Sequence, residues 1–194
     1  MLHDDLEQRA LDATVEEVAL SGFKRLAMED VARRAGTTRV TLYRRFGTRD
    51  ALLEAMAVRE TQRFMDALVA AAADLDTLEE QMAETLVVGL RFMRAHPVAR
   101  RAMDAEREAI IEYMEADDGR LLTMSRTFLA TIIREAGLGH PDPDALAETF
   151  VRIFVSFLVL PGSVVRLDDE AELRAYAHRC LAPLVSTAAR CDTV

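Results

Sequence analysis

The chain has 194 residues, 51% apolar and 29% charged, with a net charge of −9 and no Trp. It shows no apolar run behind a basic stub and none long enough to span a bilayer, so neither a signal peptide nor a membrane anchor is expected and the cytoplasm is the expected compartment. Two cysteines, Cys180 and Cys191, are too few for a disulfide framework and are expected as thiols.

Abundant Ala, Leu, Glu and Arg with few Gly and Pro favour an all-α chain, long enough for one large or two small domains. Apolar residues recur at helical spacing without strand-like alternation. The spacing predicts a first helix over 4–20, with Leu11, Val15 and Val18 on its inner face. The stretch from Glu29 to Phe46 then holds two short helices and a Gly-bearing turn. Val31, Ala32 and Ala35 share one side of the first, and Gly36 follows where a helix end needs a residue tolerant of positive φ. Thr38 supplies a hydroxyl N-cap for the second helix, on which Leu42 and Phe46 lie on the buried side. The opposite side carries Val40, Thr41 and Arg44, with Arg39 and Tyr43 along one edge and Arg45 along the other. Two helices joined by a short turn containing Gly, with groove-reading chemistry on the second, make a helix-turn-helix. The hydroxyls and guanidiniums suit base edges and phosphates, and the Tyr43 hydroxyl suits a phosphate.

Charge supports this use. From Lys24 to Arg49 eight basic residues stand against two acids, a net +6, so the remainder carries −15 of the chain's −9 total. A solvated helix face requires no such segregation, whereas a phosphate-binding surface does.

Gly47 and Thr48 mark a new start, and Leu52, Leu53, Met56, Phe64 and Leu68 predict a long helix to about residue 73. After a break at 74–77, a helix carries Met82, Leu86, Leu90 and Met93 until Ala95, His96 and Pro97 stop it. Helices over 98–116 and 120–136 are expected on either side of Asp117, Asp118 and Gly119, and two more over 144–160 and 169–187 on either side of Pro161 and Gly162. The run from Phe150 to Leu160 is apolar nearly all round, and the last helix carries a wide stripe of Leu173, Tyr176, Ala177, Cys180, Leu181, Leu184 and Val185. A monomer core and an interface between copies explain these two helices equally well. Catalytic chemistry lacks its groups. There is no nucleophile elbow, phosphate loop or paired-histidine zinc motif, and His178 with Cys180 has no second pair to complete a metal site. The acids from Asp104 to Asp118 read as a solvated face.

The run from Leu11 to Leu53 resembles the N-terminal domain of the TetR family of one-component transcriptional regulators. The resemblance is carried by Gly22-Phe23 at the end of the first helix, the Ala32, Ala35 and Gly36 turn, the Thr41-Leu42-Tyr43 core of the recognition helix, Phe46, and a following helix opening on Thr48-Arg49-Asp50-Ala51-Leu52-Leu53. It implies a three-helix DNA-binding domain over 1–53 and a helical bundle for ligand binding and dimerisation over 54–194. DNA contacts would fall on Arg39, Val40, Thr41, Tyr43, Arg45 and Arg49, to which the residue reading adds Thr38, Arg44 and Thr48. Family members usually cap the motif's first helix with Thr or Ser; here Leu26 and Ala27 stand in those places.

The resemblance further implies a homodimer paired through its last two helices, with Phe150, Phe154, Phe157, Leu173, Tyr176, Leu181 and Leu184 at the interface, reading a palindromic double-stranded operator. It implies an effector pocket, for a small and largely apolar molecule, among Phe92, Met93, His96, Met103, Ile110, Tyr113, Met114, Met124 and Phe128. His96, with Arg91 and Arg94 nearby, suits either an anionic group or a surface C-cap. The resulting expectation is a ligand-released repressor with no cofactor, metal or membrane partner. The alternative is an all-helical small-molecule binding or catalytic module whose helix-turn-helix is structural only.

Overall fold

A computed structural model describes residues 2–105, 107–135, 142–160 and 162–186, with side chains except at 2–4, 107, 109, 110, 112–118, 120, 121 and 186. The described residues are all-α. In chain order they form α1 (Leu2–Ser21), a 3-10 turn (Phe23–Arg25), α2 (Met28–Arg34), α3 (Arg39–Phe46), α4 (Arg49–Ala72) and α5 (Leu78–Ala95). There follow α6 (Pro97–Ala105), α7 (Arg107–Glu135), α8 (Pro143–Val159), α9 (Glu170–Tyr176), a π-helical turn (Ala177–Leu181) and α10 (Ala182–Ser186). None of the described helices is long and apolar enough to cross a membrane. The expected break at Asp117 to Gly119 is not a loop. Helix α7 runs through it, with Gly119 at φ 74 inside the helix, a conformation open to a residue without Cβ. Cys191 lies outside the described residues, and Cys180 is an exposed free thiol.

The chain divides into two compact units, Met1–Met65 with Ala95–Arg101, and Asp66–Arg94 with Ala102–Val194. The division falls inside α4, beyond Leu53 where the sequence puts it. The core of the first unit gathers Leu11 and Val18 of α1, Leu26, Met28 and Val31 around α2, Leu42 of α3, Leu52 and Met56 of α4, and Val98.

The second unit packs Met82, Leu86 and Leu90 of α5 against Ile133 of α7, Leu146 and Phe150 of α8, and Leu173, Ala177, Leu181 and Val185 near the chain's end. Helix α5 comes close to α8 at Gly89, where a Cβ would meet Phe154 Cε2 at 2.9 Å and Leu68 Cδ2 at 3.3 Å. A bidentate ion pair ties α5 to α9, Arg174 donating to both Glu84 oxygens at 2.7 and 2.8 Å.

Core positions 173, 177, 181 and 185 repeat every four residues, which on a regular helix drifts by about 40° per step. The π turn at Ala177–Leu181 turns less per residue and absorbs part of that drift, keeping the row inward. The expected wide stripe thus resolves into two rows. Phe150, Leu173 and Leu181 are 4%, 1% and 3% exposed and already buried in the core of one chain, which corrects their assignment to a contact between copies. Outside that row, Cys180 and Leu184 are exposed, and Tyr176 is half-buried against Phe157 in an edge-to-face pair at 5.7 Å.

Candidate nucleic-acid interface

The presentation of α3 is fixed by caps at both of its ends and by the turn before it. Helix α2 ends in a Schellman turn. Gly36, at φ 66, lets Thr37 N–H donate to Ala32 O at 2.9 Å and its own N–H to Arg33 O at 3.3 Å. The Thr38 side chain then accepts from Thr41 N–H at 3.2 Å, so the N-cap read from the sequence is formed. Gly47, at φ 78, closes the helix by donating to Tyr43 O at 2.9 Å, and Thr48 caps α4 by accepting from Ala51 N–H at 3.0 Å. At the start of α2 the N-cap is Ala27, with no side-chain cap. Leu26, just before it, and Val31, at the fourth helical position, lie in one buried core, the placement of a hydrophobic staple. Apolar packing fixes the entry to α2 where a hydroxyl is missing.

With Leu42 fully buried and Phe46 packed on the same core, α3 can turn only one side outward. That side carries Val40 at 76% exposure, with Arg39, Tyr43, Arg44 and Arg45 exposed and Thr41 half-buried. The Thr38 and Thr41 hydroxyls lie 2.9 Å apart, so one donates to the other and a single hydroxyl hydrogen of the pair is left for an outside acceptor. The nine residues expected at the interface therefore lie on or beside α3.

The arginines differ in their commitments. Arg39 pairs with Glu29 of α2 and stacks over the Tyr43 ring, 5.1 Å from its centroid. Arg45 pairs with Glu7 of α1, and Arg49 donates to Phe23 O and pairs with Asp50 at 3.1 Å. Behind this face, Arg34 is held by Glu16 at 2.7 Å and Glu17 at 2.8 Å, and Arg33 by Asp30 at 2.7 Å. Among the described residues Arg44 makes no ion pair. The +6 patch is thus partly countered by acids of α1, which a count along the motif misses. Exposed pairs of this kind contribute at most about 1 kcal/mol, so exchanging a carboxylate for a phosphate costs little.

His96 was expected near a ligand but belongs to the first unit. Its Nε2 donates to Glu60 Oε2 at 3.0 Å and its Nδ1 accepts from Ala99 N–H at 3.4 Å, which makes it the N-cap of α6 rather than a pocket residue. Burial would raise the Glu60 carboxyl, but hydrogen bonds from Arg59 and His96 outweigh it and hold the group below its ordinary value. Arg59, also paired with Asp12 at 2.8 Å, completes a cluster joining α1, α4 and the start of α6. Arg63 also pairs with Glu60, at 3.2 Å, and that i,i+3 spacing is the part of the cluster that a sequence pattern signals.

In the second unit Phe92, Met93, Met103 and Phe128 are half-buried, and Met124 is 53% exposed and faces out. The side chains of Ile110, Tyr113 and Met114 lie outside those described. An open cleft of about 420 Å³ is lined by Arg94, Met103, Asp104, Phe157, Leu158 and Arg166, so of the expected pocket residues whose side chains are described it takes only Met103. Among the described residues no cluster of His, Cys, Asp or Glu could hold a metal.

Residues 10–56, spanning α1 to the first part of α4, match the sequence profile of bacterial regulatory proteins of the tetR family. An HTH-type transcriptional regulator of Mycobacterium tuberculosis (strain H37Rv) is 29% identical over 183 residues, 93% of this chain and 85% of the relative. A TetR-like transcriptional regulator from Rhodococcus sp. RHA1 has a similar structure, with a TM-score of 0.57 and 27% identity over 91% of this chain and 96% of that one. The TetR family repressor AlkX from Dietzia sp. strain DQ12-45-1b, implicated in biodegradation of n-alkanes, shares the fold at a TM-score of 0.61 and 22% identity, covering 94% and 96% of the two chains.

Proposed function

The chain belongs to the TetR family of bacterial regulatory proteins and is a transcriptional regulator, and from that premise we propose that it is a repressor which binds a palindromic operator as a homodimer and is released by a small, largely apolar molecule. One observation carries the DNA-binding part. Helix α3 is capped at both ends, anchored by Leu42 and turned so that Val40, Thr41, Tyr43 and Arg44 form its outer face. Among the described residues Arg44 makes no ion pair on that face, and Arg39, Arg45 and Arg49 stand beside it on pairs weak enough to exchange for phosphate.

The dimer reading rests on the outer row of the last helices. Phe154, Phe157 and Tyr176 are half-buried, while Leu184 is 42% exposed, an apolar row that a second copy would cover. A two-fold would set two α3 helices about 34 Å apart, one DNA turn, or a multiple of it. Repression then requires only occupancy of the operator. For the effector, Phe92, Met93, Met103 and Phe128 supply adaptable apolar surface in the second unit.

The experiment is a gel shift with the full chain and duplexes flanking its own coding sequence, repeated over a range of salt. A specific complex with a log–log salt slope of several units is expected, since each phosphate contact contributes about −0.9. Equal affinity for every duplex, or a slope near zero, would overturn the DNA-binding reading.

A further inference from the structure

Val40 is, among the described residues, the most exposed large apolar side chain of the first unit, at 76%. It is the second residue of α3, about 200° around the helix from the fully buried Leu42, so folding of this unit makes no use of its side chain. Its neighbours leave it bare. The Arg39 guanidinium is drawn over the Tyr43 ring and toward Glu29, and the Thr41 hydroxyl turns to that of Thr38.

A valine offers neither donor nor acceptor, so it cannot answer a phosphate oxygen or the hydrogen-bonding edge of a base. On the major-groove floor every other distinguishing group is a donor or an acceptor, and the apolar one is the C5 methyl of thymine. The first turn of a recognition helix is also the part that reaches base edges. We propose that Val40 is a specificity-determining residue that reads a thymine methyl in each operator half-site. This rests on the DNA-binding reading above and adds the base that the α3 face selects.

The test selects duplexes from a random library with the full chain, then replaces each thymine of the selected half-site in turn by deoxyuridine, which removes only the methyl. Wild type is expected to lose affinity at one thymine, by about fourfold per half-site, which is about 0.8 kcal/mol at about 1.4 kcal/mol per factor of ten. Val40→Ala is expected to bind the thymine and deoxyuridine duplexes equally while keeping the wild-type melting temperature, since the side chain is exposed. Wild-type affinity that ignores every methyl overturns the proposal, as does a Val40→Ala variant as sensitive to the methyl as wild type. Recovery of no duplex at all would instead overturn the DNA-binding reading itself, and the two failures are thereby told apart.

Discussion

Helix α3 of the first unit buries Leu42 completely and turns its arginines, its tyrosine and one valine outward, whereas the terminal segment 170–186 of the second unit divides its apolar residues between an inner row and an outer one. In the first case the inner residue sets the orientation and the outer ones are left for a partner. In the second the same residue types stand on both sides, and burial separates them. Leu181 is 3% exposed and Leu184 is 42% exposed, three positions apart on the same segment. The contrast teaches that polarity marks an outward face only where the partner is polar. Where the partner is a second copy of the chain, only burial separates core from interface.

The largest effect that would break this distinction is at Leu181. Leu181→Asp places a charge in the core of one chain and should cost at least about 3 kcal/mol, unfolding the second unit rather than merely separating copies. Leu184→Asp should leave the helical signal and melting temperature near wild type while lowering the mass in solution, as measured by sedimentation. A Leu181→Asp variant that stays folded but dissociates would reverse the assignment of the two rows.

Next in size is Gly89. A methyl there meets Phe154 at 2.9 Å, too close for a real Cβ contact, so Gly89→Ala should cost about 1–3 kcal/mol through overpacking between α5 and α8. Denaturant melting of the variant reads this directly, and added stability would show that the two helices have room to part.

The smallest effect sharpens the electrostatic side of the second unit. The Arg174 hydrogen bonds hold the Glu84 carboxyl below its ordinary value of 4.5, outweighing the opposite pull of burial. A depressed carboxylate contributes stability that is fully present above that ordinary value and is lost as pH falls through the lower folded one. Glu84→Gln should therefore cost about 1 kcal/mol at neutral pH, after allowance for solvent screening, with the gap from wild type closing in acid below about pH 4.5. A gap that does not change with pH would show that the pair contributes through packing alone.

The first unit was legible because it is built from local devices with fixed residue requirements. Gly36 supplies the positive φ, Thr38 and Thr48 supply hydroxyl caps, and Leu42 and Phe46 recur at helical spacing. Contacts distant in sequence escaped. Glu7 on Arg45, Glu16 and Glu17 on Arg34, and Glu60 on His96 join residues that no short pattern connects. His96 illustrates the cost, since beside Arg91 and Arg94 in the sequence it reads as an anion site or a C-cap of the helix before it, yet in space it faces α4 and caps the start of α6. In the second unit Leu173, Tyr176, Leu181 and Leu184 follow the same helical spacing whether they face inward or outward. The rotation introduced by the π turn leaves no mark in residue type.

The central claim is that the α3 face opposite Leu42 is the surface that meets DNA, and the most direct measurement compares wild type, Thr41→Ala and Arg44→Ala for equilibrium affinity to one selected duplex at fixed salt. Both side chains lie outside the core, so melting temperatures should stay within experimental error of wild type. Affinity should fall by about 1–3 kcal/mol for a lost base contact, and for Arg44→Ala the salt slope should shrink by about one if the lost contact is to phosphate. Affinity unchanged from wild type in both folded variants would contradict the claim.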